Sequence, residues 1–197
     1  MQVLNALVRA RKGHCRVVAL FLAVLSVLLL PAPLKISGQT PVPEAQVKAV
    51  FLFRFAEFVE WPPEAFADPH SPLIIGILGE DPFGRYLDDI ARNQQVNNRP
   101  FAIQRYRRVA EIKTCHVLFI SRSENVHLEQ ILGFLTSKRI LLVGESEGFA
   151  RRGGAIEFVP QGTKIGLRIN SGVAQAASLI ISSKLLRQAE IVATGKE

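Results

Sequence analysis

The chain has 197 residues, 48% of them hydrophobic and 21% charged, with a formal net charge of +7. That length and apolar content suit one ordinary folded domain and exclude a disordered polyelectrolyte. The charge is uneven: residues 1–38 hold five of the 24 basic side chains (Arg9, Arg11, Lys12, Arg16, Lys35) and none of the 17 acidic ones, so the remainder carries 19 against 17, about +2, and has no electrostatic claim on nucleic acid.

The opening reads as an export signal. Arg9, Arg11, Lys12 and Arg16 precede an apolar run at 17–30 broken only by Ser26. Those 14 positions fall short of the ~20 that a bilayer-spanning helix needs. Ile36-Ser37-Gly38 before Gln39 offers a cleavage site, so 1–38 is expected to be a signal peptide cut near Gly38, with 39–197 as the exported domain. An uncleaved short anchor is the alternative. Cys15 leaves with the signal, so Cys115 has no intramolecular disulfide partner and reads as a small buried hydrophobe.

Residues 47–61 carry helical spacing. Val47, Phe51, Phe55, Phe58 and Val59 share a broad face, and Arg54, Glu57 and Glu60 collect opposite, until Pro62 ends the helix. Val50 and Phe53 fall on the charged side and need cover, either from a second layer of the same domain or from another molecule. In the second case Phe53, with Glu57, Glu60 and Trp61 at the helix end, forms part of a protein-binding surface, aromatics ringed by polar groups.

Strands and helices then alternate. An aliphatic strand at 73–78 ends at Gly79, and Asp81-Pro82 caps a helix over 83–92. A polar strand at 99–107 fits an edge position. An apolar strand at 115–121 leads into a helix capped by Ser121 or Ser123, with an apolar stripe of Leu128, Ile131, Leu132 and Leu135, and a further strand covers 140–143. Segments 155–159 and 164–170, separated by Pro160-Gln161-Gly162-Thr163, read as an antiparallel hairpin. A last helix is expected from the Asn170-Ser171 cap to about Val192. The fold class is α/β, a three-layer sandwich with a mostly parallel mixed sheet, a C-terminal hairpin and flanking helices.

The motifs that catalysis would need are weak. Gly79-Glu80-Asp81-Pro82-Phe83-Gly84 has the glycine spacing of a phosphate loop, yet continues Arg85-Tyr86 and places two carboxylates where phosphate would sit. His70, His116 and His127 belong to no metal-ligand pattern, and His116 reads as a hydrogen-bonded core residue. Ser-x-x-Lys does not occur, and the Gly-x-Ser-x-Gly spacing is met once, at Gly144-Glu145-Ser146-Glu147-Gly148. Asp88-Asp89 and Glu145/Glu147 read as surface acids, and Arg105, Arg107, Arg108 and Arg151-Arg152 as solvated basic groups. No catalytic, cofactor or metal site is expected, and the chain reads as a non-enzyme whose function is binding.

The run Lys48-Ala49-Val50-Phe51-Leu52-Phe53-Arg54-Phe55-Ala56-Glu57-Phe58-Val59-Glu60-Trp61-Pro62 resembles the opening signature of the YfiR family of bacterial periplasmic proteins. Four later segments agree in order: Ile75-Gly76-Ile77-Leu78-Gly79-Glu80-Asp81-Pro82-Phe83-Gly84, Cys115-His116-Val117-Leu118-Phe119-Ile120-Ser121, Phe149-Ala150-Arg151-Arg152-Gly153-Gly154 and Ile181-Ser182-Ser183-Lys184-Leu185-Leu186. The resemblance implies the same α/β fold and a periplasmic inhibitor that holds the periplasmic domain of an inner-membrane diguanylate cyclase inactive, docking through Phe53, Glu57, Phe58, Glu60, Trp61 and Pro62 of the signature helix, although burial explains Phe58 equally well. It also implies a second partner, an OmpA-like outer-membrane lipoprotein that sequesters the inhibitor and so raises cyclic di-GMP. Some relatives carry cysteine pairs, which the single mature cysteine here departs from. A homodimer is left open. The alternative of another class is a periplasmic small-molecule sensor or solute-binding module feeding a membrane receptor or histidine kinase, with its ligand in the crevice near Gly79, Ser121 and Gly144.

Overall fold

This computed structural model describes residues 42–162 and 164–195; the signal peptide and cleavage site expected at 1–38 lie outside the described residues. In chain order the main elements are α1 (Glu44–Phe58), β1 (Val59–Glu60), β2 (Leu73–Leu78), α2 (Arg85–Ala91), β3 (Gln95–Val96), β4 (Arg99–Tyr106), β5 (Val117–Ile120), α3 (Leu128–Leu135), β6 (Leu141–Gly144), β7 (Ile156–Gln161), β8 (Lys164–Ile169), α4 (Ser171–Ala176), β9 (Ile180–Ile181), α5 (Ser183–Leu186) and β10 (Glu190–Ile191). Eight strands form one sheet in the order β10-β8-β7-β6-β5-β2-β4-β3. The run β4, β2, β5, β6, β7 is parallel, as strands joined by crossover helices must be. β7 and β8 form the expected antiparallel hairpin, with Ile156 opposite Ile169.

Alternation along the central strands divides the apolar residues between two cores. Ile75, Ile77, Val117, Phe119, Leu141 and Val143 meet Leu52 and Phe55 of α1 on one face. Leu78, Leu118, Ile120 and Leu142 meet Leu128, Ile131, Leu132 and Leu135 of α3 on the other. Helix, sheet and helix thus make the three layers of an α/β sandwich. Among the described residues no helix is long and apolar enough to cross a membrane.

Helix α1 lies across the sheet rather than along one neighbour. Phe55 stacks on Phe158 of β7 with centroids 5.9 Å apart, while Phe53 meets Phe101 of β4 edge-on at 4.8 Å. Phe53 is therefore 7% exposed, and the domain's own second layer supplies its cover. Beyond Glu44 in its first turn, only a narrow stripe of Val50, Arg54 and Glu57 faces out. Lys48 is also buried; its ammonium reaches Glu145, just past β6, at 2.6 Å and is shared with Glu44. Burial alone would lower the Lys48 pKa, but the two carboxylates outweigh it and hold the amine above its ordinary value. Glu145 is thus a structural partner of the first helix, not the surface acid expected.

Two boundaries differ from expectation. The first helix ends at Phe58, three residues before Trp61, because Val59 and Glu60 pair with β9. The single last helix is broken into α4, β9, α5 and β10. Asn170 caps α4 as expected, accepting from the Val173 N–H at 3.2 Å, but Ser178 takes a left-handed φ of 60° and stops it. The β-branched pair Ile180-Ile181 then extends, and the Ser182 side chain caps a fresh turn at Lys184.

Candidate protein-docking surface and the corner behind it

The surface grows from the antiparallel ribbon of β1 and β9, where Val59 faces Ile181 and Glu60 faces Ile180. Ser182 N–H donates to the Phe58 carbonyl at 2.8 Å and extends the pairing by one residue. Opposed residues of a ribbon share a face, so with Val59 and Ile181 buried, Glu60 and Ile180 project outward together. Ile180 is 64% exposed, a large apolar side chain left in water beside a carboxylate. Glu57, on the last turn of α1, adds a second exposed acid that pairs with Arg54 at 2.8 Å.

After the ribbon the chain folds into a hook. Pro62 opens a 3-10 turn over Pro63–Ala65, as its fixed φ favours. Trp61 is half-buried against the first core, and its indole N–H is buried with no acceptor among the described residues. A buried donor without a partner costs about 1–3 kcal/mol. Behind it, Phe66 stacks on the His116 ring at 4.4 Å and 18°, and carries the Arg99 guanidinium 3.8 Å from its centroid. Arg99 also donates to the carbonyls of Asp68 and Ser71 at 2.9 and 2.8 Å, tying the following loop to β4.

His116 fastens the hook to the sheet. Its ring is 1% exposed; Nδ1 accepts the Ile74 N–H at 3.0 Å, and Nε2 donates to the Ala65 carbonyl at 3.1 Å. That pattern needs the neutral ring with its proton on Nε2. Burial pushes its pKa below the ordinary 6.5, the Ala65 carbonyl pulls the other way, and nearby Arg99 adds to the depression. Trp61 meets the same ring edge-on, with centroids 6.4 Å apart.

Of the six residues singled out from sequence, Glu57, Glu60, Trp61 and Pro62 lie together around the ribbon and hook. Phe58 is half-buried beneath them, packed on the first core. Phe53 faces inward, so it is corrected from surface to core. Sequence reasoning missed Ile180, Phe66 and Arg99, whereas His116 is the hydrogen-bonded core residue expected. A β-branched pair followed by Ser-Ser was the available sign that 180–181 is extended rather than helical.

The strand-end crevice near Gly79, Ser121 and Gly144 is filled by the protein's own side chains: Ser123 and Glu124 press on Gly79, and the Phe149 ring on Gly144. Beside it lies an open cavity of about 1050 Å³, bounded by Asn125, Glu129, Glu147, Arg151, Arg152 and Thr194. The other candidate chemistries are absorbed by structure. Arg105 is held by Asp88 and Asp81, both at 2.7 Å, instead of standing free on a strand edge. Asp81 accepts the Phe83 N–H at 2.7 Å, which makes the glycine-rich turn a capping loop. Cys115 packs in the second core, and burial pushes its thiol up to about 12, away from nucleophilic use. Among the described residues no three His, Cys, Asp or Glu side chains gather as a metal site.

The domain is a three-layer α/β sandwich that turns an acid-rimmed apolar ribbon outward. The chain belongs to the YfiR/HmsC-like family, whose sequence profile matches residues 45–190. That family is one of periplasmic regulators of diguanylate cyclase signalling rather than of catalysts, and it works through membrane-associated partners. No protein of curated function matches the chain. Among solved structures it is similar to the ABC domain in complex with L-Trp from Streptococcus pneumonia, at 12% identity and a TM-score of 0.50. The likeness covers 75% of this chain and 60% of that one, and it concerns the fold alone.

Proposed function

We propose that this protein is a periplasmic inhibitor that holds the periplasmic domain of an inner-membrane diguanylate cyclase in its inactive state, docking through Glu57, Glu60, Trp61, Pro62 and Ile180. The observation that carries the reading is the ribbon face. An isoleucine 64% exposed next to Glu60, at the end of an aromatic helix whose other apolar groups are nearly all buried, is a group the domain leaves for another molecule. Family membership supplies the partner class. Exposed Glu57, Glu60 and Glu64 call for a partner patch that is basic around an apolar centre. The mechanism is linkage: affinity for the inactive cyclase state alone lowers output by that difference, and an OmpA-like lipoprotein competing for the inhibitor restores it.

The test uses residues whose exposure spares the fold. Ile180→Asp combined with Glu60→Lys is expected to weaken binding to the purified cyclase periplasmic domain at least about tenfold, with an unchanged melting curve. Unchanged affinity in a folded double variant refutes the docking face. A second reading, the small-molecule sensor, draws on the cavity bounded by Arg151, Arg152, Glu129 and Glu147, whose mixed charges suit a zwitterion. Stabilisation by a metabolite in a thermal-shift screen, lost in Arg151→Ala, would favour it.

A further inference from the structure

We propose that His116 is a proton-operated latch on the docking surface: neutral, it fastens the Trp61–Phe66 hook to β2; protonated, it lets the hook go. The geometry leaves no way to keep both bonds in acid. A proton on Nδ1 would point at the Ile74 N–H, 3.0 Å away, setting donor against donor. The ring must then turn out of its slot. Turning breaks the bond to the Ala65 carbonyl and removes the surface on which Phe66 stacks, two of the contacts that hold the hook against the sheet. Trp61 meets the same ring, and its indole N–H has no acceptor among the described residues, so what remains to the hook is Trp61 packing on the first core and the Arg99 guanidinium on Phe66.

The surroundings do not offer the cation a counter-charge. From β4 the facing group is Arg99, itself a cation. The 3-10 turn brings Glu64 and the following loop Asp68 and His70, all exposed on the outer side; the Asp68 carboxylate is taken by the Ser71 hydroxyl and the His70 N–H, both at 2.7 Å. β2 and β6 contribute only apolar side chains, and Cys115 with Tyr106 packs in the opposite core. The sign follows. Above about pH 6.5 the ring is neutral folded or unfolded and the latch contributes in full. Below that, the released ring takes the proton more readily than the seated one, and closure weakens as pH falls towards the lower folded pKa. The periplasmic reading gives such a latch a stimulus, since acid outside the cell would loosen the docking face and free the cyclase. That last consequence rests on the proposed docking function; the latch does not.

Trp61 is the chain's sole tryptophan, so intrinsic emission reports the hook alone. In the purified protein, lowering pH from about 7.5 to about 5 is expected to red-shift the emission and raise acrylamide quenching about twofold, with a midpoint below 6.5 and unchanged far-UV circular dichroism. His116→Gln, whose amide accepts at one atom and donates at another without titrating, should abolish the step, whereas His70→Gln and His127→Gln should keep it. A flat wild-type profile, or a step that survives in His116→Gln, overturns the latch. Should His116→Gln not fold, the wild-type imidazole resonances decide: the His116 midpoint must coincide with that of the emission, and a mismatch overturns it. Affinity for the cyclase domain should fall several-fold across the same step. If the emission titrates and affinity does not, the latch stands and the link to docking fails.

Discussion

Two turns at opposite ends of the central strands, each built round one aromatic ring, have been finished to different degrees. At the carboxyl end of β6, Phe149 is wholly buried between Gly144 and Gly154, at either of which a methyl group would overlap the ring. The buried carboxylate and amide beside it are both paired. Glu157, 2% exposed, accepts the N–H groups of Gly148 and Ala150 at 3.2 and 3.1 Å and pairs with Arg168 at 3.2 Å, while Asn170 donates to the Ala150 carbonyl at 2.9 Å. At the amino end of β2 and β5, Trp61 is half-covered, its N–H lacks an acceptor among the described residues, and Glu60 and Ile180 stand out beside it. A completed turn is scaffold, because nothing further can lower its energy. A turn with an idle donor and an exposed isoleucine retains free energy that a partner or a proton can draw on.

This contrast can be broken by substitution, starting with the largest effect. Phe149→Ala empties a sealed site and should cost about 3–5 kcal/mol in denaturant unfolding; a loss under about 1 kcal/mol would mean the turn is less complete than its contacts indicate. Gly154→Ala forces a methyl into the Phe149 ring and should cost about 1–3 kcal/mol, with partner affinity unchanged at saturating folded protein. Trp61→Phe trades lost ring area against removal of the idle N–H, so its stability should move by under about 1 kcal/mol, followed by circular dichroism. A larger loss there would show that the indole is satisfied in solution, and the two turns would no longer differ in kind.

Much of the scaffold is legible in the sequence because central parallel strands are covered on both faces and therefore read as unbroken aliphatic runs at 73–78 and 117–120. The hairpin follows from its Pro-Gln-Gly-Thr break. What sequence periodicity misreads is the segment after Asn170: Ala174, Ala177, Ile181 and Leu185 are all buried, yet they reach the core from two short helices and a strand, so the spacing imitates one helix. Phe53 is misassigned for a related reason. A helix laid across five strands, from β7 to β4, buries more than one stripe, and a two-sided wheel cannot express that. The ribbon is not legible because pairing between residues 59–60 and 180–181 is non-local, and the β-branched pair at 180–181 marks an extended segment without marking its partner. Part of the candidate site, from Glu57 to Pro62, was visible as aromatics among acids; its other half, Ile180, was not.

The junction of β1 with β9 joins backbone laid down near the start of the folded domain to backbone laid down close to its end. The exposed face it creates cannot exist on a nascent or clipped polypeptide that stops before residue 180, however well the first strands have assembled. On the proposed docking role, competence is thereby tied to completion, and a protease that cuts just before residue 180 would remove the docking face without cutting into β2 to β8.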